Sequence, residues 1–84
     1  MPEIEIGKVT HFFDRISVAA VALTGDLAVG DTIHIKGHTS DFTMTVDAMQ
    51  IEHTPVQSAK AGDHIGIKVP QKAHEHDHVF KVVP

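Results

Sequence analysis

The chain has no cysteine, no tyrosine and no tryptophan. Without cysteine there is no disulfide and no thiolate metal site, and a reducing cytoplasmic setting is the expectation. No apolar run reaches the roughly 18 residues of a membrane-spanning helix, so no membrane partner is expected. The opening MPEIEIGK is acidic and has no apolar signal core. Basic residues are scarce: seven Lys and Arg stand against eleven Asp and Glu, a formal net charge of −4. That balance argues against strong nonspecific nucleic-acid binding, which depends on Lys and Arg neutralising phosphates. Eight histidines shift the balance as pH falls toward about 6.

Catalytic motifs are missing as well. There is no G-x-x-x-x-G-K-[ST], so no nucleotide is expected as a partner. There is no G-x-S-x-G, and Ser17, Ser40 and Ser58 stand in no activating context. The carboxylates are scattered through turns and strand edges. A domain of this size filled by its own side chains has little room for a deep pocket. The expectation is therefore a non-enzyme with no cofactor.

What is present is a repeated piece of turn chemistry. Leu27 to Gly37 read LAVGDTIHIKG, and Ala61 to Val69 read AGDHIGIKV. In each, a glycine can take the positive φ of a tight corner. The aspartate after it can bond nearby backbone N–H groups. An alternating strand follows, with Ile33 and Ile35 opposite Thr32, His34 and Lys36, or Ile65, Ile67 and Val69 opposite His64, Gly66 and Lys68. Eighty-four residues make one domain, residues 1–84. A chain of this size buries roughly 60–65% of its unfolded surface, enough for a single core.

The order of these motifs is L-x-V-G-D-x-I-x-I-x-G, then the strand TMTVDAMQIEH, then A-x-A-G-D-x-I-G-I. From Gly7-Lys8-Val9 to the C-terminus this resembles the second domain of translation elongation factor Tu and its archaeal and eukaryotic counterparts. The resemblance implies an all-β fold, a small closed six- or seven-stranded antiparallel β-barrel. The same barrel also occurs at the C-terminus of collagenase-like peptidases that act in RNA modification. Fold is implied more strongly than function.

The remaining strands follow from alternation. Ile4 and Ile6 open a strand toward Phe12-Phe13, with a bulge expected at Gly7 where the apolar parity changes. Ile16 to Leu23 is apolar on both faces and rich in β-branched residues, which favours a strand over a short helix. Asp41 to Ile51 is expected as the longest strand, bent near Ala48 where the parity switches. Residues 53–60 are expected as a loop or single helical turn. Val79 to Val83 is the last strand, with Phe80 and Val82 inward and Lys81 outward. One of Phe12 and Phe13 is expected to be exposed, since neighbours on a strand point opposite ways.

Three groups of residues are candidates for function. The resemblance implies that the segment Met49 to His53 matches part of the pocket for the aminoacylated end of tRNA, so Gln50, Glu52 and His53 are candidates. Gln50 stands where the family has an acidic residue. His34, Lys36 and His38, with Lys8, His11 and Arg15, form a mildly basic face suited to RNA phosphates, although no aromatic platform accompanies it. His74, His76 and His78 alternate with Glu75 and Asp77, a pattern that on an extended strand places three imidazoles side by side for zinc, nickel or copper. Continuous alternation would drive these histidines into the core with Phe80 and Val82, so a bend before Val79 is expected.

The leading expectation is a non-catalytic, stand-alone translation-factor-like barrel. It would bind RNA, including a tRNA end, or a protein of translation or RNA modification. The alternatives are a small metal-binding protein using the C-terminal histidines, and an accessory barrel subunit of a peptidase-like RNA-modification enzyme.

Overall fold

A computed structural model describes residues 2–83. Ten strands and no helix are found among them: β1 Glu3–Phe13, β2 Val18–Leu23, β3 Leu27–Ala28, β4 Thr32–Lys36, β5 Asp41–Thr45, β6 Met49–Ile51, β7 Thr54–Val56, β8 Ser58–Ala59, β9 His64–Lys68 and β10 His78–Val82. Eight strands form one antiparallel sheet in the order β5-β4-β10-β1-β2-β9-β6-β7. The short strands β3 and β8 pair separately. The all-β expectation holds. A closed barrel is not seen: no ladder joins the outer strands β5 and β7 among the described residues.

One face of the sheet makes the core. Alternation puts Ile33 and Ile35 of β4, Ala19, Val21 and Leu23 of β2, and Ile65 and Ile67 of β9 on that face, all buried. Leu27, Val46, Met49 and Val79 complete the centre. The long strand β1 serves two neighbours by carrying two irregularities. Its register with β10 shifts between Glu5 and Gly7, where the bulge was expected, and its register with β2 shifts between Val9 and His11. A side chain at Gly7 would meet the Ala22 carbonyl oxygen at 2.7 Å, which explains the glycine. The second shift decides the phenylalanines. Phe12 lies opposite core residue Ala19 and packs on the core, while Phe13 turns outward, 46% exposed, edge-on to His11 at 4.5 Å.

The Gly-Asp turns are seen in detail. Asp31 Oδ2 accepts the Ala28 N–H at 2.9 Å, and the Asp31 N–H donates to the Ala28 carbonyl at 3.1 Å. Asp63 treats Lys60 the same way, at 3.0 Å in both bonds. A third copy was not evident from composition. Asp77 Oδ2 accepts the His74 N–H at 2.9 Å, and the Asp77 N–H donates to the His74 carbonyl at 3.1 Å. The residue before each aspartate has positive φ: 98° at Gly30, 95° at Gly62 and 74° at His76. Histidine takes the glycine's place in the third copy.

Several expected boundaries move. Ile16 lies in the β1–β2 turn, 59% exposed, and Ser17 has φ 54°, so the strand begins at Val18. Asp41 to Ile51 is two strands separated by residues 46–48, and β1 is the longest strand. The break falls where the bend near Ala48 was expected. Val46 is held there by the Gly-Asp corner, accepting from the Gly30 N–H and donating to the Asp31 carbonyl. Residues 53–60 contain β7 and β8 in place of a loop or helical turn. Pro55 is tolerated because β7 is at the sheet edge.

The parity of β10 is reversed from expectation. Val79 is fully buried, opposite Gly7 of β1 and Ile35 of β4, while Phe80 lies opposite Glu5 and His34 on the outer face. Lys81 shares the inner parity of Val79. It escapes the core because it sits near the strand end, where its ammonium reaches Asp31 at 3.5 Å.

Candidate functional site

The histidines concentrate on the outer face of β5, β4, β10 and β1. Cross-strand register sets two rows there. One runs Thr43, His34, Phe80, Glu5, and the other runs Asp41, Lys36, His78, Lys8. His34 is held from both sides. Its Nδ1 is 3.0 Å from both Glu3 carboxylate oxygens, and its Nε2 bonds Asp41. A neutral imidazole has one N–H donor, so bonding carboxylates at both nitrogens calls for the imidazolium. The Asp41 hydrogen bond, then that of Glu3, accordingly raises the His34 pKa above the ordinary 6.5. The His34 bond in turn lowers that of Asp41. His78 Nδ1 meets Glu5 Oε2 at 2.7 Å. Phe80 lies between these imidazoles, with ring centroids 6.3 Å from His34 and 6.2 Å from His78.

Beside these rows, the 37–40 turn and the third aspartate turn form the walls of a groove of about 680 Å³. Lys36, His38, His74, His76, His78 and Phe80 line it. The walls are tied together. Ser40 Oγ lies 2.9 Å from His74 Nδ1, the His76 N–H donates to the Val9 carbonyl at 2.8 Å, and Asp77 is 3% exposed. A Cβ at Gly37 would overlap the Asp77 carboxylate.

The three C-terminal histidines are not gathered at one point. His74 turns to Ser40, His76 occupies the left-handed corner, and His78 stands on β10 facing Glu5. Among the described residues no group of three or more His, Asp and Glu is placed to hold a metal ion. The imidazoles do not stand side by side, because the chain turns between His74 and Asp77, the bend expected before Val79.

Gln50, Glu52 and His53 lie elsewhere. Four strands separate β6 from β4 in the sheet. Glu52 and His53, with φ of 50° and 65°, form the two-residue corner between β6 and β7. With Gln50 they border an apolar groove of about 330 Å³ whose walls include Phe13, Ile16, Val18 and Ile65. The structure thus divides the RNA candidates into two sites. It joins His34, Lys36 and His38 with the C-terminal histidines, and it leaves Gln50, Glu52 and His53 with the apolar groove.

Sequence reasoning foresaw that one of Phe12 and Phe13 would be exposed, and the structure shows it to be Phe13; it missed Phe80 and Ile16 outside the core. For Phe80 the missing signal was its cross-strand partner. Alternation in HVFKV allows either parity to face inward, and only the pairing of Val79 with Ile35 settles it.

No family profile matches the chain. It is 42% identical over 79 residues to an uncharacterized protease of Methanocaldococcus jannaschii, a match covering 93% of this chain and 19% of that protein. The chain therefore spans about a fifth of the length of that relative. Among solved structures, it superposes on the C-terminal domain of a Geobacillus thermoleovorans protein described as a U32 peptidase. The TM-score is 0.87 at 17% identity, over 93% of this chain and 91% of that domain. The selenomethionine form of that domain gives 0.85, also at 17% identity, over 89% and 95%. At that identity the likeness shows a shared fold.

Proposed function

We propose that this chain is a non-catalytic accessory module, the counterpart of the C-terminal domain of U32 peptidases, which binds RNA or a protein of translation or RNA modification for a peptidase-like partner. The observation that carries this reading is the match in fold over nearly the whole of that domain, supported by 42% identity to a segment of a much longer archaeal protease. The absence of an activated serine, a cysteine or a nucleotide-binding loop from the sequence supports a binding role over a catalytic one. The motif order supports the same scaffold as a translation-factor barrel.

The reading is tested by expressing the chain with a U32 peptidase whose own C-terminal domain has been deleted. The expected outcome is co-elution of the two proteins and restoration of the activity lost on deletion, with no hydrolytic activity in the 84-residue chain alone. Separate elution together with no restored activity would refute it.

A further inference from the structure

We infer that the outer face of β4, β10 and β1 is a binding surface for single-stranded nucleic acid, switched on by protonation of its histidines. The inference deepens the binding-module reading and rests on it, but it does not depend on the peptidase partner.

The reversed parity of β10 supplies what sequence reasoning had not placed there, an aromatic ring on the histidine-lined face. Phe80 borders the 680 Å³ groove together with Lys36, His38, His74, His76 and His78. Bases stack on such rings with little regard for sequence. Lys36 and Lys8 flank His78 in the adjoining row, within reach of the phosphates on either side of a stacked base.

Charge decides when the face can accept a phosphate chain. Its carboxylates are Glu3, Glu5, Asp41, Glu75 and Asp77, and its lysines are Lys8 and Lys36. Its imidazoles are His11, His34, His38, His74, His76 and His78. With every imidazole neutral, two lysines against five carboxylates leave three net negative charges. With all six protonated the face carries three net positive charges. The contacts of His11 with Glu75, His34 with Glu3 and Asp41, and His78 with Glu5 place protons where they cancel the carboxylates. Lys36, His38 and His76 then remain for phosphate. Histidine as a residue type changes charge between about pH 5 and 8, so a face this rich in imidazoles is where a fall in pH adds positive charge.

The test is a heteronuclear NMR titration of the 84-residue chain with a single-stranded uridine decamer at low salt, at pH 5.8 and pH 8.0. The expected result is shift changes confined to residues 34–38 and 74–80, with affinity at least tenfold weaker at the higher pH. Phe80→Leu, which keeps the apolar bulk, and Lys36→Gln should each weaken binding at least threefold with the spectrum otherwise retained. Inorganic phosphate and uridine monophosphate serve as comparison ligands, and both should bind more weakly than the decamer. The inference is overturned by no binding at pH 5.8, by equal affinity at both pH values, by undiminished binding of Phe80→Leu, or by phosphate matching the decamer. Shifts confined to Gln50, Glu52 and His53 would also overturn it, while leaving an RNA-binding module in place.

Discussion

His76 occupies a backbone conformation that its two sister turns give to glycine. Its φ of 74° corresponds to 98° at Gly30 and 95° at Gly62. An L-residue with a Cβ is strained in the left-handed region by about 1–2 kcal/mol, and part of that is returned when glycine adds freedom to the unfolded chain. His76→Gly should therefore raise stability by about 0.5–1 kcal/mol in urea denaturation. A loss of stability would mean that the imidazole makes a compensating contact. If the histidine-lined face binds nucleic acid, the same variant should bind less well, so stability and binding would move in opposite directions. Strain kept at one turn out of three identical ones is the pattern expected where function opposes stability.

At the scale of elements, His34 of β4 ties the edge strand β5 to β1, reaching over β10. Its raised pKa comes first from the Asp41 hydrogen bond and then from Glu3. A folded-state value above 6.5 means that this bridge stabilises fully below pH 6.5 and is lost as pH rises through the raised value. Asp41, lowered from 3.8, contributes above pH 3.8 and loses its contribution as pH falls through its lowered value. The bridge is thus intact between pH 3.8 and 6.5. Stability measured from pH 5.5 to 8.5 should decline across the His34 titration, and amide exchange in β5 should speed up with it. His34→Gln should flatten the decline. An unchanged slope in that variant would assign the pH dependence to other histidines.

Elements also show where the sequence was legible. The strands after the Gly-Asp corners, β4 and β9, were readable because the turn announces their start and isoleucines mark one face. The bulge at Gly7 was readable from a change of parity. The β6–β7 hairpin was not. Its corner is Glu52-His53, which carries none of the Asn-Gly or Asp-Gly chemistry that usually marks such a turn, and its second strand contains Pro55. The third aspartate turn was hidden for the same reason, since His76 stands where glycine would have signalled it. The candidate residues were legible by type, but their grouping was not.

For the whole molecule, stability rests on one core enclosed by distant pairings. β1 and β10 pair Glu3 with Val82, so the two ends of the chain lie on adjacent strands. Ile33 lies at the centre with no exposed surface. Truncating such a residue to alanine typically costs about 2–5 kcal/mol through lost burial and a residual cavity. Domains of this kind hold only about 5–15 kcal/mol in total. Ile33→Ala should therefore remove on the order of a third of the unfolding free energy, read as a fall in the urea midpoint with little change in slope. A loss under about 1 kcal/mol would mean that the centre repacks around the gap.

The sequence by itself determined an all-β domain with bulged strands and two aspartate-closed corners, because alternation and turn chemistry are local properties. Tertiary structure alone decided that Val79 enters the core and Phe80 leaves it. It also decided that the C-terminal histidines join β4 in one groove while Gln50, Glu52 and His53 border another. The physical reason is symmetry. A strand with apolar residues on both parities can bury either face, and the choice falls to the neighbours whose hydrogen bonds fix its register. For β10 those neighbours are β1 and β4, one near the start of the chain and the other in its middle, and no window of local sequence contains them all.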